Sequence, residues 1–235
     1  MTPEFWLQRW SENKIGFHLD EVNPYLIEHW PILNVAKGAR VFVPMCGKSM
    51  DLRWLLEQGH QVEAIEISAQ AIEAFFSEQS MEYQRHQIDK WQVYEADSIR
   101  IWCGDYFQLS NDQINSIRHD PTSAEQTLTP VAAVFDRAAL IAMPVELRSK
   151  YLTHLMNLVG PVPQLLITLD YIQTQMSGPP FAVSREEVLN FYQDYFELNK
   201  IIDTRTDILA EHAHFASRGV TALLECVYRL QVPKK

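Results

Sequence analysis

No stretch of this chain approaches the roughly 20 apolar residues that a membrane span requires, and the amino-terminal region carries Glu4 and Arg9 in place of an apolar leader. A membrane role is therefore not expected, and a cytoplasmic location is. Cysteine is scarce: Cys46, Cys103 and Cys226 are an odd number without metal spacing, as reduced thiols of a cytosolic enzyme would be. Basic residues are in deficit as well. Twenty lysines and arginines against 30 acids give a net charge of −10 and a pI near 5.2, which argues against nucleic acid or an anionic membrane surface as partner. The expected substrate is a small molecule and the expected state a monomer. There is no internal repeat or low-complexity segment. What is present is a 235-residue chain of 47% hydrophobic residues, enough for one substantial core without disulfides, so residues 1–235 are expected to form a single domain.

The most informative run is Arg40-Val41-Phe42-Val43-Pro44-Met45-Cys46-Gly47-Lys48-Ser49-Met50-Asp51, followed by a helical pattern from Leu52 to Gln58 and then the stretch from Val62 to Glu66. It reads as strand, glycine turn, helix and second strand ending in a carboxylate. That order is the first half of a nucleotide-binding βαβ unit, and Glu66 stands about 20 residues past the turn, where an acid binds ribose hydroxyls. Only one glycine serves the turn. A pyrophosphate needs several bare backbone amides, and the first glycine of a P-loop would fall on Phe42, inside the strand. An adenosine ligand without phosphates fits better, and S-adenosylmethionine is the commonest of these.

Further strands are expected at Ile99 to Cys103, Val131 to Phe135, Leu165 to Asp170, Phe196 to Ile202 and Ala222 to Leu230, giving seven in all, with helices between them. The alternation predicts an α/β fold with a mostly parallel sheet covered on both faces. Ahead of the first strand, Pro3 to Glu12 and Pro24 to Leu33 read as helices. The polar link between them, containing Gly16, Phe17 and His18, suggests a flexible lid. Residues 1–37 are thus expected to form a lid or extension on a Rossmann-like core of residues 38–235. The stretch from His119 to Pro130 reads as a long exposed connector.

Ligands of open α/β sheets sit beyond the carboxyl ends of the strands, and the distinctive segments gather there. They are Pro44 to Gly47, Glu66, Gly104 to Tyr106, Asp136-Arg137 and Tyr171 to Phe181. Several of these residues have a plain structural explanation too. Periodicity alone makes Trp10 a core aromatic, Ser49 and Asp51 cap a helix, and Cys46 is a small buried thiol with no histidine beside it. Arg137 suits a structural ion pair as well as a ligand contact. His212 and His214 lack a third ligand at metal spacing, so no metal is expected. Gly178-Pro179-Pro180-Phe181 forms a stiff turn before a helix capped by Ser184, and Phe181 could oppose Phe17 across a flat aromatic ligand.

Taken in order, Phe42 to Leu55, Gly59-His60, Glu66-Ile67-Ser68, Ile101 to Phe107, Phe135 to Leu140, Leu165 to Tyr171 and Gly178 to Phe181 resemble the thiopurine S-methyltransferases, particularly the bacterial ones. The resemblance runs from Trp6 to about Tyr228; Met45 stands where leucine is usual and Ala64 where glycine is common. It implies a class I S-adenosylmethionine-dependent methyltransferase fold. It also implies a cofactor site of Trp10, Met45, Glu66, Asp105, Tyr106 and Arg137, with Arg137 close to cofactor and acceptor as a thiolate stabiliser. An acceptor pocket of Phe17, Pro180, Phe181 and a basic residue, His214 or Arg218, follows from the same likeness. The acceptors implied are aromatic or heterocyclic thiols, with selenium and tellurium oxyanions associated with bacterial relatives.

Transfer of a sulfonium methyl to a thiolate joins a cation and an anion into neutral products, so a dry pocket and alignment carry most of the chemistry. Heterocyclic thiols ionise near neutrality, consistent with the lack of an evident nucleophile and base pair in the sequence. Two other classes remain at this level: an NTPase using Gly47-Lys48-Ser49 as a phosphate loop, and a non-catalytic sensor of S-adenosylmethionine.

Overall fold

The computed structural model describes residues 2–116, 129–197 and 201–232. Its strands are β1 (Arg40–Val43), β2 (Gln61–Glu66), β3 (Gln84–Ile88), β4 (Trp91–Ala96), β5 (Ile99–Cys103), β6 (Val131–Arg137), β7 (Gln164–Asp170), β8 (Ile201–Asp207) and β9 (Leu224–Leu230), in one sheet of order β3-β4-β5-β2-β1-β6-β7-β9-β8. The five central strands pair in parallel, while β4 and β9 run against their neighbours. The helices are α1 (Pro3–Ser11), α2 (Pro24–His29), α3 (Met50–Glu57), α4 (Ala69–Glu78), α5 (Asn111–Ile114), α6 (Val145–Val159), α7 (Arg185–Tyr192) and α8 (Ala213–Ala216).

Near-continuous apolar runs make the central strands buried on both faces. In β1 every residue is buried, and its side chains alternate between two cores. Val41 and Val43 pack with Leu52 and Leu55 of α3, Phe75 and Phe76 of α4, and Leu26 of α2. Phe42 faces the opposite core, with Tyr151 and Leu155 of α6 and Val188 of α7. The α/β architecture expected from the sequence is therefore present, with α1 and α2 preceding β1.

The expected count of seven strands is too low. A hairpin, β3-β4, extends one edge, and its outer strand, Gln84-Arg85-His86-Gln87-Ile88, is polar and largely exposed, so no apolar run announces it. At the other edge a strand was expected at Phe196 to Ile202; among the described residues the border strand is the more polar Ile201–Asp207. Phe196 packs into the core beside Tyr192 of α7. The second helix is shorter than expected, since Trp30–Leu33 tightens into a 3-10 turn. Apart from Thr129 and Pro130, the connector expected at His119 to Pro130 lies outside the described residues.

Away from the carboxyl ends of the strands, fully buried Glu63 accepts from Arg100 Nε at 2.8 Å and from Arg40 Nη2 at 3.3 Å. Both guanidinium groups also donate to the carbonyl of Ile114 at the end of α5. Three charges so placed are sustained only because nearly every polar atom finds a partner.

A second buried polar contact gives the fold a pH response. His60 Nε2 accepts from the Trp30 indole at 3.0 Å, which requires a neutral ring, and burial holds its pKa below the usual value. Because the folded pKa is depressed, the stability this ring contributes is complete above about pH 6.5 and is lost as pH falls below that. Asp136, pushed up to about 6 by burial, titrates in the opposite sense, stabilising the fold as it gains a proton. The contribution of His60 should therefore be read as a difference. His60→Gln, whose amide oxygen can still accept from Trp30, should show a flatter loss of urea stability between pH 7 and about pH 5 than the parent protein. Parallel profiles would contradict this role for His60.

Candidate active site

The carboxyl ends of the parallel strands open into a cavity of about 710 Å³. Its floor is set by the turn after β1. Met45 and Gly47 have φ of 48° and 55°, and Ala138, after β6, has φ of 66°. The other non-glycine residues with positive φ among those described are asparagine, aspartate and serine; Met45 and Ala138 have no polar side chain to ease that conformation, and both line the cavity. A Cβ at Gly47 would lie 3.3 Å from the Trp10 ring, so the bare α-carbon is what lets α1 settle on the turn.

Glu66, at the end of β2, is buried and holds this arrangement together. One carboxylate oxygen accepts the Gly47 N–H and the other the Ser68 N–H, both at 2.9 Å, with the Ile67 backbone and the Trp10 indole close enough to favour the charged form. Burial raises its pKa, opposed by those donors. A carboxylate offers about four acceptor sites, so room remains for a ligand hydroxyl. Asp105, after β5, accepts from Phe107 N and Gln108 Nε2, which turns the chain so that buried Tyr106 lies against the cavity. The Tyr106 hydroxyl donates to the carbonyl of Tyr151 at 3.2 Å, and His154 bonds the Tyr106 carbonyl.

Arg137 is engaged by protein groups. Its Nε donates to Asp51 Oδ2 at 2.7 Å and its Nη2 to Ser49 Oγ at 3.3 Å. Ser49 caps α3, as the sequence suggested, while Asp51 does more than complement the helix dipole. Fully buried, it also accepts the Asn23 N–H at 2.8 Å, tying the start of α2 to the ends of β1 and β6. Glu225 of β9 reaches the same wall; burial raises its pKa, with Arg137 and Asn23 opposing.

The structure thus brings Trp10, Phe17, Met45, Glu66, Asp105, Tyr106, Arg137, Pro180 and His214 to one cavity, and Arg218 lies there too. Phe181 is the exception. Its ring folds back over Gly178, where an added Cβ would fall 2.5 Å from it, while its N–H donates to the Ile141 carbonyl. Phe181 is not among the residues lining the cavity and does not form a wall opposite Phe17. Phe17 packs edge-on against Trp6 at 5.8 Å and Trp10 at 5.5 Å. Asp51, Glu225 and His18 also line the cavity without having been singled out as site residues. In the sequence Asp51 is legible only as an acid at a helix start and His18 only as a base beside Phe17 in a polar link, while Glu225 carries no such signal.

The turn does not suit a phosphate. The Gly47 amide is already taken by Glu66, and Lys48 Nζ is paired with Glu78 of α4 at 2.6 Å. A buried acid with acceptor capacity to spare, beside a turn without free converging amides, fits an adenosine ligand that carries no phosphates.

Comparison with known proteins agrees. The sequence model of the thiopurine S-methyltransferase (TPMT) family matches residues 1–120 and 121–233. The thiopurine S-methyltransferase of Pseudomonas fluorescens SBW25 is 46% identical over 231 residues, covering 98% of this chain and 99% of that protein. That of Pseudomonas fluorescens Pf0-1 is 42% identical over 234 residues, with 98% and 99% covered. Among solved structures, the 1,6-didemethyltoxoflavin-N1-methyltransferase of Burkholderia thailandensis, with bound S-adenosylhomocysteine, superposes with a TM-score of 0.58. It is 12% identical, over 97% of this chain and 87% of that one, a likeness of fold alone. Fold and site together define an S-adenosylmethionine-dependent methyltransferase with a small-molecule substrate. Within that class, the chain belongs to the thiopurine S-methyltransferase family.

Among the described residues, no helix is long and apolar enough to cross a membrane.

Proposed function

We propose that this protein methylates the sulfur of aromatic and heterocyclic thiols, acting as a cytoplasmic monomer, with residues 1–37 as the lid of a single methyltransferase domain. The observation that carries this reading is the continuous cavity that runs from Glu66 and the single-glycine turn to Pro180 and His214. Glu66 binds the ribose hydroxyls, Asp105 and Tyr106 shape the adenine end, and Met45 and Trp10 close over the cofactor. S-adenosylmethionine supplies an electrophilic sulfonium methyl when bound.

The acceptor lies beneath Phe17 and beside Pro180, with His214 and Arg218 at the outer edge. Trp6, Phe17 and Trp10 form an edge-on aromatic cluster that keeps water from the reacting atoms. Arg137, fixed by Asp51 at Nε and by Ser49 at Nη2, lines the cavity, where its positive charge favours a thiolate over a thiol. A soft oxyanion such as selenite or tellurite would meet the same cation.

The purified protein should transfer labelled methyl from S-adenosylmethionine to 6-mercaptopurine and show no calorimetric binding of Mg-ATP. Cofactor binding without transfer to any thiol, selenite or tellurite would overturn the proposal in favour of a sensor.

A further inference from the structure

Thiols differ widely in acidity, and those un-ionised at neutral pH need somewhere to leave their proton. Three histidines line the cavity: His18, His212 and His214. His214 is exposed, and His212 and His214 lie against each other and Phe215 near the outer edge. His18 is placed differently. It follows Phe17, whose ring is held by Trp6 and Trp10, and Trp10 in turn is seated on Gly47. The His18 amide donates to the Ile15 carbonyl at 2.8 Å, fixing the backbone of the turn.

Its side chain is only 10% exposed, and Nε2 stands 3.5 Å from Asp20 Oδ1, a carboxylate that is 99% exposed. The charged groups facing it are Lys48 from the turn after β1, Arg137 from β6, Glu78 from α4, and Asp20 from its own segment. Burial, helped by Lys48 and Arg137 and opposed by Asp20 and Glu78, holds the ring below its ordinary pKa, so it is neutral near pH 7. A neutral imidazole thus shares the cavity with the cation suited to a thiolate and has a solvated carboxylate at its back.

We propose that His18 is the general base of the methyl transfer, accepting the S–H proton of acceptor thiols that are not already ionised. This rests on the thiol-transfer reading above. The proton passes from sulfur to the imidazole, giving an imidazolium. The freed sulfur electron pair forms the new S–CH₃ bond, and the methyl–sulfonium bond breaks with its pair retained by the sulfur of S-adenosylhomocysteine. Asp20 then relays the proton to solvent.

The test compares the wild type with His18→Gln on benzyl mercaptan, a weakly acidic thiol, and on 2-nitro-5-thiobenzoate, which is ionised at neutral pH. In the variant, kcat/KM for benzyl mercaptan should fall at least about 100-fold, the lower end of general-base effects, while that for the nitrothiobenzoate changes less than about threefold. The wild type should also lose benzyl mercaptan activity as pH falls, along a limb that the variant lacks. A reading independent of turnover uses thiophenol and S-adenosylhomocysteine near pH 6, where binding should raise thiolate absorbance more in the wild type than in the variant, which keeps only Arg137 to favour the anion.

Unchanged affinity for S-adenosylhomocysteine would establish that the variant is folded; should it bind poorly, His18→Asn takes its place. Equal losses on both thiols with an unaltered thiolate band would make His18 a structural part of the turn and overturn the proposal. Failure of the wild type to methylate the pre-ionised thiol would instead count against the thiol-transfer reading.

Discussion

Replacing Asp51 by alanine should lower the stability of the fold by about 3 kcal/mol, the low end of the cost of breaking a buried ion pair. Three groups lose their partner at once: the Asn23 amide, the Ser49 hydroxyl and the Arg137 Nε. The low end applies because the Arg137 side chain keeps 13% of its surface in contact with the cavity and can recover some hydration. The midpoint of urea unfolding would report the change. Asp51→Asn retains an acceptor oxygen but not the charge, so it should fall between the two proteins. Cofactor affinity should decline with Asp51→Ala as well, because the same carboxylate anchors α2 and aims Arg137. A loss of less than about 1 kcal/mol would mean that the pair contributes no more than a surface ion pair.

Glu66→Ala should weaken binding of S-adenosylhomocysteine by about 1.5–3 kcal/mol, roughly 10- to 150-fold in Kd. Hydrogen bonds from a ribose to the carboxylate account for part of this. The rest comes from the Gly47 and Ser68 amides, which would be left without their acceptor beneath the ligand. Glu66→Gln separates these contributions, since an amide keeps the shape but turns an NH₂ toward one of the two N–H groups. It should therefore bind nearly as poorly as the alanine variant. Calorimetry decides the matter, and unchanged affinity in both variants would remove Glu66 from the ribose site.

The parts of this molecule that were legible in the sequence are those where one local pattern has one physical cause. The apolar run Val41-Phe42-Val43 followed by a lone glycine can only be a buried strand ending in a tight turn, and Glu66 at the next strand end follows from the length of the intervening helix. Strand β3 was hidden because an edge strand with one solvated face needs no apolar run. The Asp51–Arg137 pair joins residues 86 positions apart, a partnership that no spacing rule reveals. Phe181 was misplaced for a similar reason. Its direction depends on the left-handed Gly178 that it folds over and on the Ile141 carbonyl that its backbone meets, neither of which belongs to its own local pattern. His18 is legible only as part of the polar link between the first two helices, because its neighbours Lys48, Glu78 and Arg137 come from three other parts of the chain.

The two ends of the described chain lie at opposite ends of the sheet. Thr2 and Pro3 belong to the cavity wall, whereas antiparallel pairing of β9 with β7 carries Leu230 back beside Gln164, at the far side of the sheet. An affinity tag or fluorescent fusion joined directly ahead of Thr2 would therefore start at the cavity wall and slow the exchange of small molecules. The same appendage joined just beyond Leu230 would leave that wall clear.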